Sequence, residues 1–238
     1  MPAKLILFPV PIGNENPDAS LPSYNRELLN TCTTFIVEDQ RTARRNLKRM
    51  GYTAASLDEV ELLELNEHTP ATNLVGYLDP IVKHNRNIGL MSEAGLPCVA
   101  DPGTLITAEA QRRGIEVVPL VGPSSIMLAL MASGFNGQNF AFNGYAPIKL
   151  RERDALLKRI EVSIHRDNQT QIFIEAPYRN NQMLETLSTV LQPQTMICVA
   201  CDLTMPTQQI RSLSAAKWQK EREKWNLHKR NTVFLIGE

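Results

Sequence analysis

Short apolar segments alternate with helical patterns along most of the chain, and this alternation is the feature that most constrains the fold. Residues 88–91 form an apolar run that leads into a loop rich in Gly and Pro. Residues 105–113 have a helical pattern that ends at Gly114, a residue typical of helix C-termini. An apolar run at 115–118 and a helical pattern at 126–132 repeat this order. Strands alternating with helices predict a mostly parallel sheet covered by helices.

The same alternation predicts elements elsewhere in the chain. In the first half we expect strands at 4–10 and 33–37, a basic helix at 41–50 and a helix from Thr69-Pro70 to about residue 85. The pattern breaks near residues 134–138, which places a predicted domain boundary between 1–137 and 138–238. In the second half we expect a set of strands at 140–146, 171–175, 196–201, 208–213 and 232–236.

Composition is that of an ordinary globular protein. The 238 residues carry 25 basic and 25 acidic side chains, and no apolar run approaches the length of a membrane span. The four cysteines and the lack of a targeting pattern lead us to expect a reducing cytoplasm. Cys198 and Cys201 form a lone C-x-x-C pair in a predicted strand, so we expect buried structural cysteines and no metal site.

Several common nucleotide-binding and hydrolase motifs are absent from the sequence. There is no phosphate-binding G-x-x-x-x-G-K-[ST] loop, no G-x-G-x-x-G after the first strand and no G-x-S-x-G. The predicted strand-to-helix turns instead offer carbonyls, hydroxyls and carboxylates. Such turns suit a nucleoside-like ligand with positive charge and no phosphate, and S-adenosylmethionine is a ligand of this kind.

Six ordered motifs carry a resemblance to a known family. They are Pro11-Ile12-Gly13-Asn14, Glu38-Asp39-Gln40-Arg41, Ser92-Glu93-Ala94-Gly95-Leu96-Pro97 with Ala100-Asp101-Pro102-Gly103, Val118-Pro119 with Gly122-Pro123-Ser124-Ser125, Asn143-Gly144-Tyr145-Ala146-Pro147, and Glu175-Ala176-Pro177-Tyr178-Arg179. Over nearly its whole length the chain resembles the tetrapyrrole (precorrin) methylase superfamily. It is most similar to a bacterial subgroup that methylates a cytidine ribose 2′-hydroxyl in 16S ribosomal RNA.

This resemblance implies a homodimer of two α/β domains with S-adenosylmethionine in a cleft between them. The cofactor-binding residues that it implies in the first half are Pro11, Ile12, Asp101, Gly103, Thr104, Ser124 and Ser125. In the second half it implies Ala176, Pro177, Tyr178, Leu203 and Thr204. Asp101 is equally typical of a turn without a ligand, and a serine after Gly122-Pro123 is a common helix cap.

Methyl transfer to a ribose hydroxyl depends on positioning and benefits from a nearby base. Asp39, Glu38 or Glu93 could serve as this base. We hypothesise that Asp39 is the base or orienting group and that Arg41 positions the acceptor. The alternative for Asp39 and Arg41 is a surface ion pair of little energetic value.

The predicted helix at 41–50 carries five basic residues, Arg41, Arg44, Arg45, Lys48 and Arg49. Their three-and-four spacing predicts one basic face, which is either a solvated surface or a contact for RNA phosphates of the small ribosomal subunit.

The sequence also departs from the RNA-methylating subgroup. That subgroup has D-T-R-H-T where this chain has Asp39-Gln40-Arg41-Thr42-Ala43, and S-D-A-G-T-P where this chain has Glu93 and Leu96. Two other functions therefore stay open beside RNA methylation. One is methylation of a small molecule such as a tetrapyrrole, and the other is a non-catalytic protein that binds S-adenosylmethionine or RNA.

Overall fold

The computed structural model describes residues 2–13, 16–66 and 68–238, in two α/β units, Met1–Ser124 and Ser125–Glu238. The units divide before the boundary expected between 137 and 138. The reason is that the apolar helix Ser125–Ser133 packs against strands of the second unit. Asn14, the last residue of the first motif, lies outside the described residues.

In the first unit, strands and helices alternate from β1 to β5. The elements are β1 (Leu5–Phe8), α1 (Ser23–Leu29), β2 (Thr34–Val37), α2 (Gln40–Arg49), β3 (Glu61–Glu64), α3 (Leu74–Tyr77), α4 (Asp79–His84), β4 (Ile88–Met91), α5 (Gly103–Arg112) and β5 (Val117–Pro119). The strands form one sheet in the order β3-β2-β4-β1-β5, and every pair is parallel. The predicted parallel sheet is thus confirmed, and the carboxyl ends of its strands lie at one edge.

Both faces of this sheet are buried, as a parallel sheet requires. Ile6 and Phe8 of β1 belong to one apolar cluster, and Leu5 and Leu7 belong to another. Gly89 of β4 is needed on the first face because a Cβ there would lie 2.3 Å from the ring of Phe35. Packing on both faces of the sheet therefore determines where its strand ends lie.

The helix predicted from Thr69 to about residue 85 is two short helices, α3 and α4. A 3-10 turn, Ala71–Asn73, precedes them, and the helical conformation is interrupted at Leu78, which lies between the two helices. Pro80 explains the break because proline has no backbone N–H and clashes with the preceding turn. It stands in the first turn of α4, where it is tolerated.

The second unit holds the remaining elements. They are α6 (Ser125–Ser133), β6 (Phe140–Tyr145), α7 (Leu150–Asp167), β7 (Thr170–Ile174), α8 (Asn180–Val190), β8 (Met196–Cys201), β9 (Gln209–Ser214), α9 (Ala215–Glu221) and β10 (Thr232–Gly237). The sheet order is β6-β7-β10-β8-β9, with β6 and β7 parallel and the other pairs antiparallel. Because β10 is antiparallel to both of its neighbours, β7 and β8 point the same way. Strand β6 is parallel to β7, so the carboxyl ends of β6, β7 and β8 share one edge.

The core of the second unit lies between this sheet and its helices. Leu157 and Ile160 of α7, Phe173 of β7 and Trp218 of α9 belong to one buried cluster. Trp218 also donates a hydrogen bond from Nε1 to the carbonyl of Ile197, at 2.9 Å. The C-x-x-C cysteines are both buried free thiols in β8. Among the described residues, no helix is long and apolar enough to cross a membrane.

Candidate active site

Three turns of the first unit meet at the carboxyl edge of its sheet. Val10, after β1, and Gly95, after β4, exchange two backbone hydrogen bonds of 2.9 and 3.1 Å. Gly95 has φ +72°, and a Cβ there would lie 3.2 Å from Ile12 Cγ2 and 3.5 Å from the carbonyl of Pro123, in the turn after β5. Pro11 is buried and Ile12 is partly buried in this arrangement. The predicted cofactor contacts Pro11 and Ile12 thus lie beside the turns that follow β4 and β5.

Asp101 closes the turn that leads into α5. Its Oδ1 accepts hydrogen bonds from the backbone N–H groups of Cys98 (3.0 Å) and Gly103 (2.7 Å). Burial raises the pKa of Asp101, against the opposing effect of these hydrogen bonds. Gly103 is buried and Thr104 is exposed, with the Thr104 hydroxyl donating to the carbonyl of Cys98 at 3.2 Å. The turn-forming role of Asp101 is therefore real, and any role toward a ligand is additional to it.

Glu38, directly after β2, is the carboxylate with the most altered proton affinity near this turn. Its pKa is raised from 4.5 to about 7, first by burial and then by the negative charges of Asp101 and Glu93. A hydrogen bond between the Glu38 and Asp101 side chains also raises it. We refer to Glu38, Glu93 and Asp101 as the acidic cluster. It combines the ends of β2 and β4, and it contains a carboxyl group that can take up or release a proton near neutral pH.

Asp39 has a different environment from Glu38. It is the N-cap of α2, where its Oδ1 accepts the backbone N–H of Thr42 at 2.7 Å. This hydrogen bond from Thr42 is the main cause of a lowered pKa for the exposed Asp39 carboxylate. A lowered pKa makes a weaker base, so Glu38 is better suited than Asp39 to accept a proton. The position of Glu38 next to Asp39 was the sequence signal, but its burial could not be deduced from that position.

The basic residues of α2 do not share one solvent-exposed face. Arg44 donates from Nη1 to the carbonyl of Leu57, and Arg49 donates from Nη2 to the carbonyl of Gly13 at 3.1 Å. Arg41, Arg45 and Lys48 are exposed. We refer to these three as the basic face of α2, since their spacing of four and three residues aligns them. The five-residue face expected from the sequence is corrected to these three residues.

Helix α2 also holds one turn of the acidic cluster in place. Asn46 is buried and donates from Nδ2 to the carbonyl of Glu93 at 3.3 Å. The Glu93 side chain itself is exposed. Ser124 and Ser125 are partly buried at the end of the first unit and the start of the second, where Ser125 begins α6.

In the second unit, the predicted cofactor residues follow β7 and β8, two strands that point the same way. Ala176, Pro177 and Tyr178 come after β7, and Tyr178 is exposed, with Arg179 Cζ 5.5 Å from its ring centroid. Glu175, just before them, has a fully buried side chain that forms an ion pair of 2.6 Å with Arg179. The carbonyl of Pro177 accepts a hydrogen bond of 2.9 Å from the N–H of Lys229. These bonds fix the backbone of the turn.

Leu203 and Thr204 follow β8 in a loop that is held by a second buried charge. Asp202 Oδ2 accepts from Arg230 Nε and from the hydroxyl of Thr207, each at 2.8 Å. Asp202 (φ 50°) and Thr204 (φ 69°) both have left-handed backbone conformations, which Asp tolerates but which are unusual for a β-branched residue such as Thr. Strain of this kind is typical of functional loops that the surrounding structure holds in place.

Buried polar atoms without hydrogen-bond partners occur at the same edge of the second unit. Within the described parts of the chain they are Arg153 Nε and Nη2, Asp154 Oδ1, Glu175 Oε2, Asn180 Oδ1 and Thr204 Oγ1. All of them lie near the start of α7 or after β7 and β8. We call Arg153, Asp154, Glu175, Asn180 and Thr204 the polar edge. Because buried polar groups are normally paired, such a set indicates a binding site for polar ligand groups or water.

Comparison with known proteins gives consistent results for sequence and fold. The family model described as Tetrapyrrole (Corrin/Porphyrin) Methylases matches residues 10–217. The chain is 30% identical to the Ribosomal RNA small subunit methyltransferase I of Escherichia coli O157:H7, over 98% of this chain and 77% of that protein. It is 31% identical to the protein of the same name from Thermotoga maritima, over 79% of this chain and 77% of that protein.

Solved structures show the same fold at lower identity. The methyltransferase CobJ matches with a TM-score of 0.65 and 18% identity, over 100% of this chain and 95% of that one. The cobalt precorrin-4 methyltransferase CbiF matches with a TM-score of 0.60 and 14% identity, over 98% and 94%. The resemblance noted from the six motifs is confirmed, and so is the two-sheet α/β architecture.

Proposed function

The chain belongs to the tetrapyrrole (corrin/porphyrin) methylases, and from that premise we propose that it methylates a ribose 2′-hydroxyl in RNA of the small ribosomal subunit. It is an enzyme whose methyl donor is S-adenosylmethionine. The observation that carries the choice of acceptor is the similarity, over 98% of the chain, to a protein named for small-subunit ribosomal RNA methylation. Features of each unit support the proposal.

The described residues fit S-adenosylmethionine chemically. The acidic cluster of the first unit suits a ligand that carries a sulfonium charge. The polar edge of the second unit offers unpaired buried donors and acceptors to an amino-acid group. The proposed cofactor contacts are Pro11, Ile12, Asp101, Gly103, Thr104 and Ser124 in the first unit, and Ser125, Ala176, Pro177, Tyr178, Leu203 and Thr204 in the second.

Glu38 is the general base in this proposal. When bound, the cofactor would supply an electrophilic methyl group and would leave as S-adenosylhomocysteine once its methyl–sulfur bond breaks. The acceptor hydroxyl must lose its proton as the new O–C bond forms. With a pKa of about 7, Glu38 is partly deprotonated at neutral pH and is a stronger base than an ordinary carboxylate. Asp101 orients Glu38 through their shared hydrogen bond, and Glu93 helps to raise its pKa. Asp39 has the role of orienting α2 at its N-terminus, with Arg41 beside the acceptor.

The basic face of α2 binds RNA phosphates in this proposal. Arg41, Arg45 and Lys48 are exposed, and α2 begins two residues after Glu38, so the cations and the base belong to one segment. Phosphate contacts position RNA without reading its sequence. This face also favours RNA over the second candidate function, methylation of a tetrapyrrole, which the family membership supports but which leaves the exposed cations without a role.

The proposal includes a homodimer in the cytoplasm. Large apolar side chains of the second unit remain exposed, among them Met131 (79%) and Ile148 (71%). Exposed apolar side chains of this size are common at subunit interfaces. Sedimentation of the wild type and of Met131→Glu tests this part, with a dimer expected for the wild type and weaker association for the variant.

Labelled methyl transfer tests the proposed acceptor. The enzyme is incubated with S-adenosyl-[methyl-³H]methionine and purified small ribosomal subunits that lack ribose methylation, with large subunits as the matched control. We expect label in RNA of the small subunits only. Label in neither particle, together with methylation of an added tetrapyrrole, would favour the second candidate. Binding of the cofactor without transfer to any acceptor would support a non-catalytic binding protein.

A further inference from the structure

Arg153 is a buried cation on a helix whose other nearby cations are exposed. It is 1% exposed. It lies four residues before Leu157 and seven before Ile160 on α7, and both of these residues belong to the core of the second unit. Lys158 and Arg159, by contrast, are exposed on the same helix. The guanidinium of Arg153 therefore faces the interior near the first turn of α7.

One edge of the buried guanidinium lacks hydrogen-bond partners. Arg153 Nε and Nη2 have no hydrogen-bond partner, and no ion pair to Arg153 occurs among residues 2–13, 16–66 and 68–238. An arginine remains charged in proteins, and an unpaired buried charge is strongly unfavourable. Retaining one is reasonable where a ligand pairs with it.

The two unpaired atoms form the edge with which arginine binds two oxygens at once. Other arginines of this chain use the same edge. Arg166 binds Asp167 with Nε–Oδ1 2.8 Å and Nη2–Oδ2 2.7 Å, and Arg112 binds Glu109 with Nε–Oε2 2.8 Å and Nη2–Oε1 2.6 Å. The edge of Arg153 thus matches a carboxylate or a phosphate.

The other members of the polar edge distinguish between these two oxyanions. The polar edge also contains unpaired carboxylate oxygens, Asp154 Oδ1 and Glu175 Oε2. These would repel a phosphate group but would complement a ligand that carries an ammonium group beside its carboxylate. The amino-acid end of S-adenosylmethionine carries both, and the proposed cofactor residues Ala176 and Thr204 belong to the same strand ends.

We infer that Arg153 binds the α-carboxylate of the cofactor's methionine group through its Nε–Nη2 edge. This inference rests on the proposed function, since it assigns one group of the proposed cofactor to one residue. In this inference the unpaired Glu175 Oε2 accepts a hydrogen bond from the ammonium group of the same ligand.

Calorimetric titration with two ligands tests the inference. S-adenosylhomocysteine has the amino-acid group, and 5′-methylthioadenosine has the same nucleoside and thioether without it. We expect Arg153→Met to weaken S-adenosylhomocysteine binding by about 10- to 100-fold, the range for a lost charge-assisted contact, and to leave methylthioadenosine binding unchanged. Arg159→Met, on the same helix, should change neither affinity.

Further readouts keep the test decisive. Arg153→Lys retains the charge but lacks the two-point edge, so it should also weaken S-adenosylhomocysteine selectively, and it serves if the methionine variant does not fold. Equal or no loss for both ligands would refute the role of Arg153. A loss of RNA affinity alone, with a shallower salt dependence, would assign the edge to a phosphate and refute the inference as stated. If the wild type binds neither ligand, the proposed function itself is wrong.

Discussion

Replacing Glu38 with glutamine should stabilise the protein at alkaline pH while it abolishes the proposed base. The folded pKa of Glu38 is about 7, above the ordinary value of 4.5, so the folded state binds a proton that the unfolded state releases. Stability is therefore lost as pH rises from about 4.5 to 7. The full shift would correspond to about 3 kcal/mol, and because the carboxyl is only partly buried, solvent screening reduces this to about 1–2 kcal/mol.

Glutamine keeps the shape and a hydrogen-bond donor for Asp101 but has no charge. We expect Glu38→Gln to raise the Tm by about 2–8 °C at pH 8.5, and by about a quarter of that at pH 5.0. Thermal unfolding at the two pH values, followed by circular dichroism, measures the difference. In methyl-transfer assays the same variant should lose about 10²- to 10⁴-fold in kcat, the usual contribution of a general base, with unchanged affinity for S-adenosylhomocysteine.

Asp39→Asn is the matched control. The Asp39 pKa is lowered in the folded state, so its charge favours folding above its unfolded pKa, and its removal should give no gain in stability at pH 8.5. The reasoning would be refuted if Glu38→Gln gave the same change in Tm at both pH values, or if it kept wild-type kcat.

Three further predictions concern the cluster, the basic face and the sheet. Glu93→Gln removes a charge that raises the Glu38 pKa, so the rising limb of the wild-type pH–rate profile should move to lower pH; an unmoved limb would exclude that interaction. Arg45→Glu with Lys48→Glu should weaken RNA binding and reduce its salt dependence without changing cofactor affinity, whereas Arg44→Glu should lower the Tm because Arg44 donates to the Leu57 carbonyl. Gly89→Ala should destabilise by about 1–3 kcal/mol, because its Cβ would lie 2.3 Å from the Phe35 ring, and an unchanged urea midpoint would contradict this packing.

The order of strands and helices could be predicted because periodicity and turn residues are local signals. The strand Met196–Cys201 was predicted with its observed bounds, and helix α2 was predicted within one residue at each end. The break at Leu78 does not follow from the capping signal at Thr69-Pro70, which indicates where a helix begins and not where Pro80 interrupts it. The early start of the second unit depends on which sheet α6 packs against, and this is a tertiary property.

The candidate site could be predicted by region but not by residue role. Strand ends and turns predicted the segments in which the candidate residues lie, since the ends of parallel strands share an edge. Adjacent acidic residues, however, have opposite pKa shifts: Glu38 is partly buried beside Asp101, while Asp39 caps a helix. Arg44 and Arg49 also differ from the exposed Arg45, because backbone carbonyls distant in sequence accept hydrogen bonds from their side chains. The unpaired edge of Arg153 depends on burial, which has no local signature.

Nucleoside analysis of the methylated RNA tests the central claim most directly. Small subunits are treated with the enzyme and S-adenosylmethionine, their RNA is digested, and the nucleosides are separated and identified by mass spectrometry, with Glu38→Gln as the comparison. The account predicts one new 2′-O-methylated nucleoside with the wild type and little or none with the variant. A methyl group on a base, or equal 2′-O-methylation by both proteins, would contradict it.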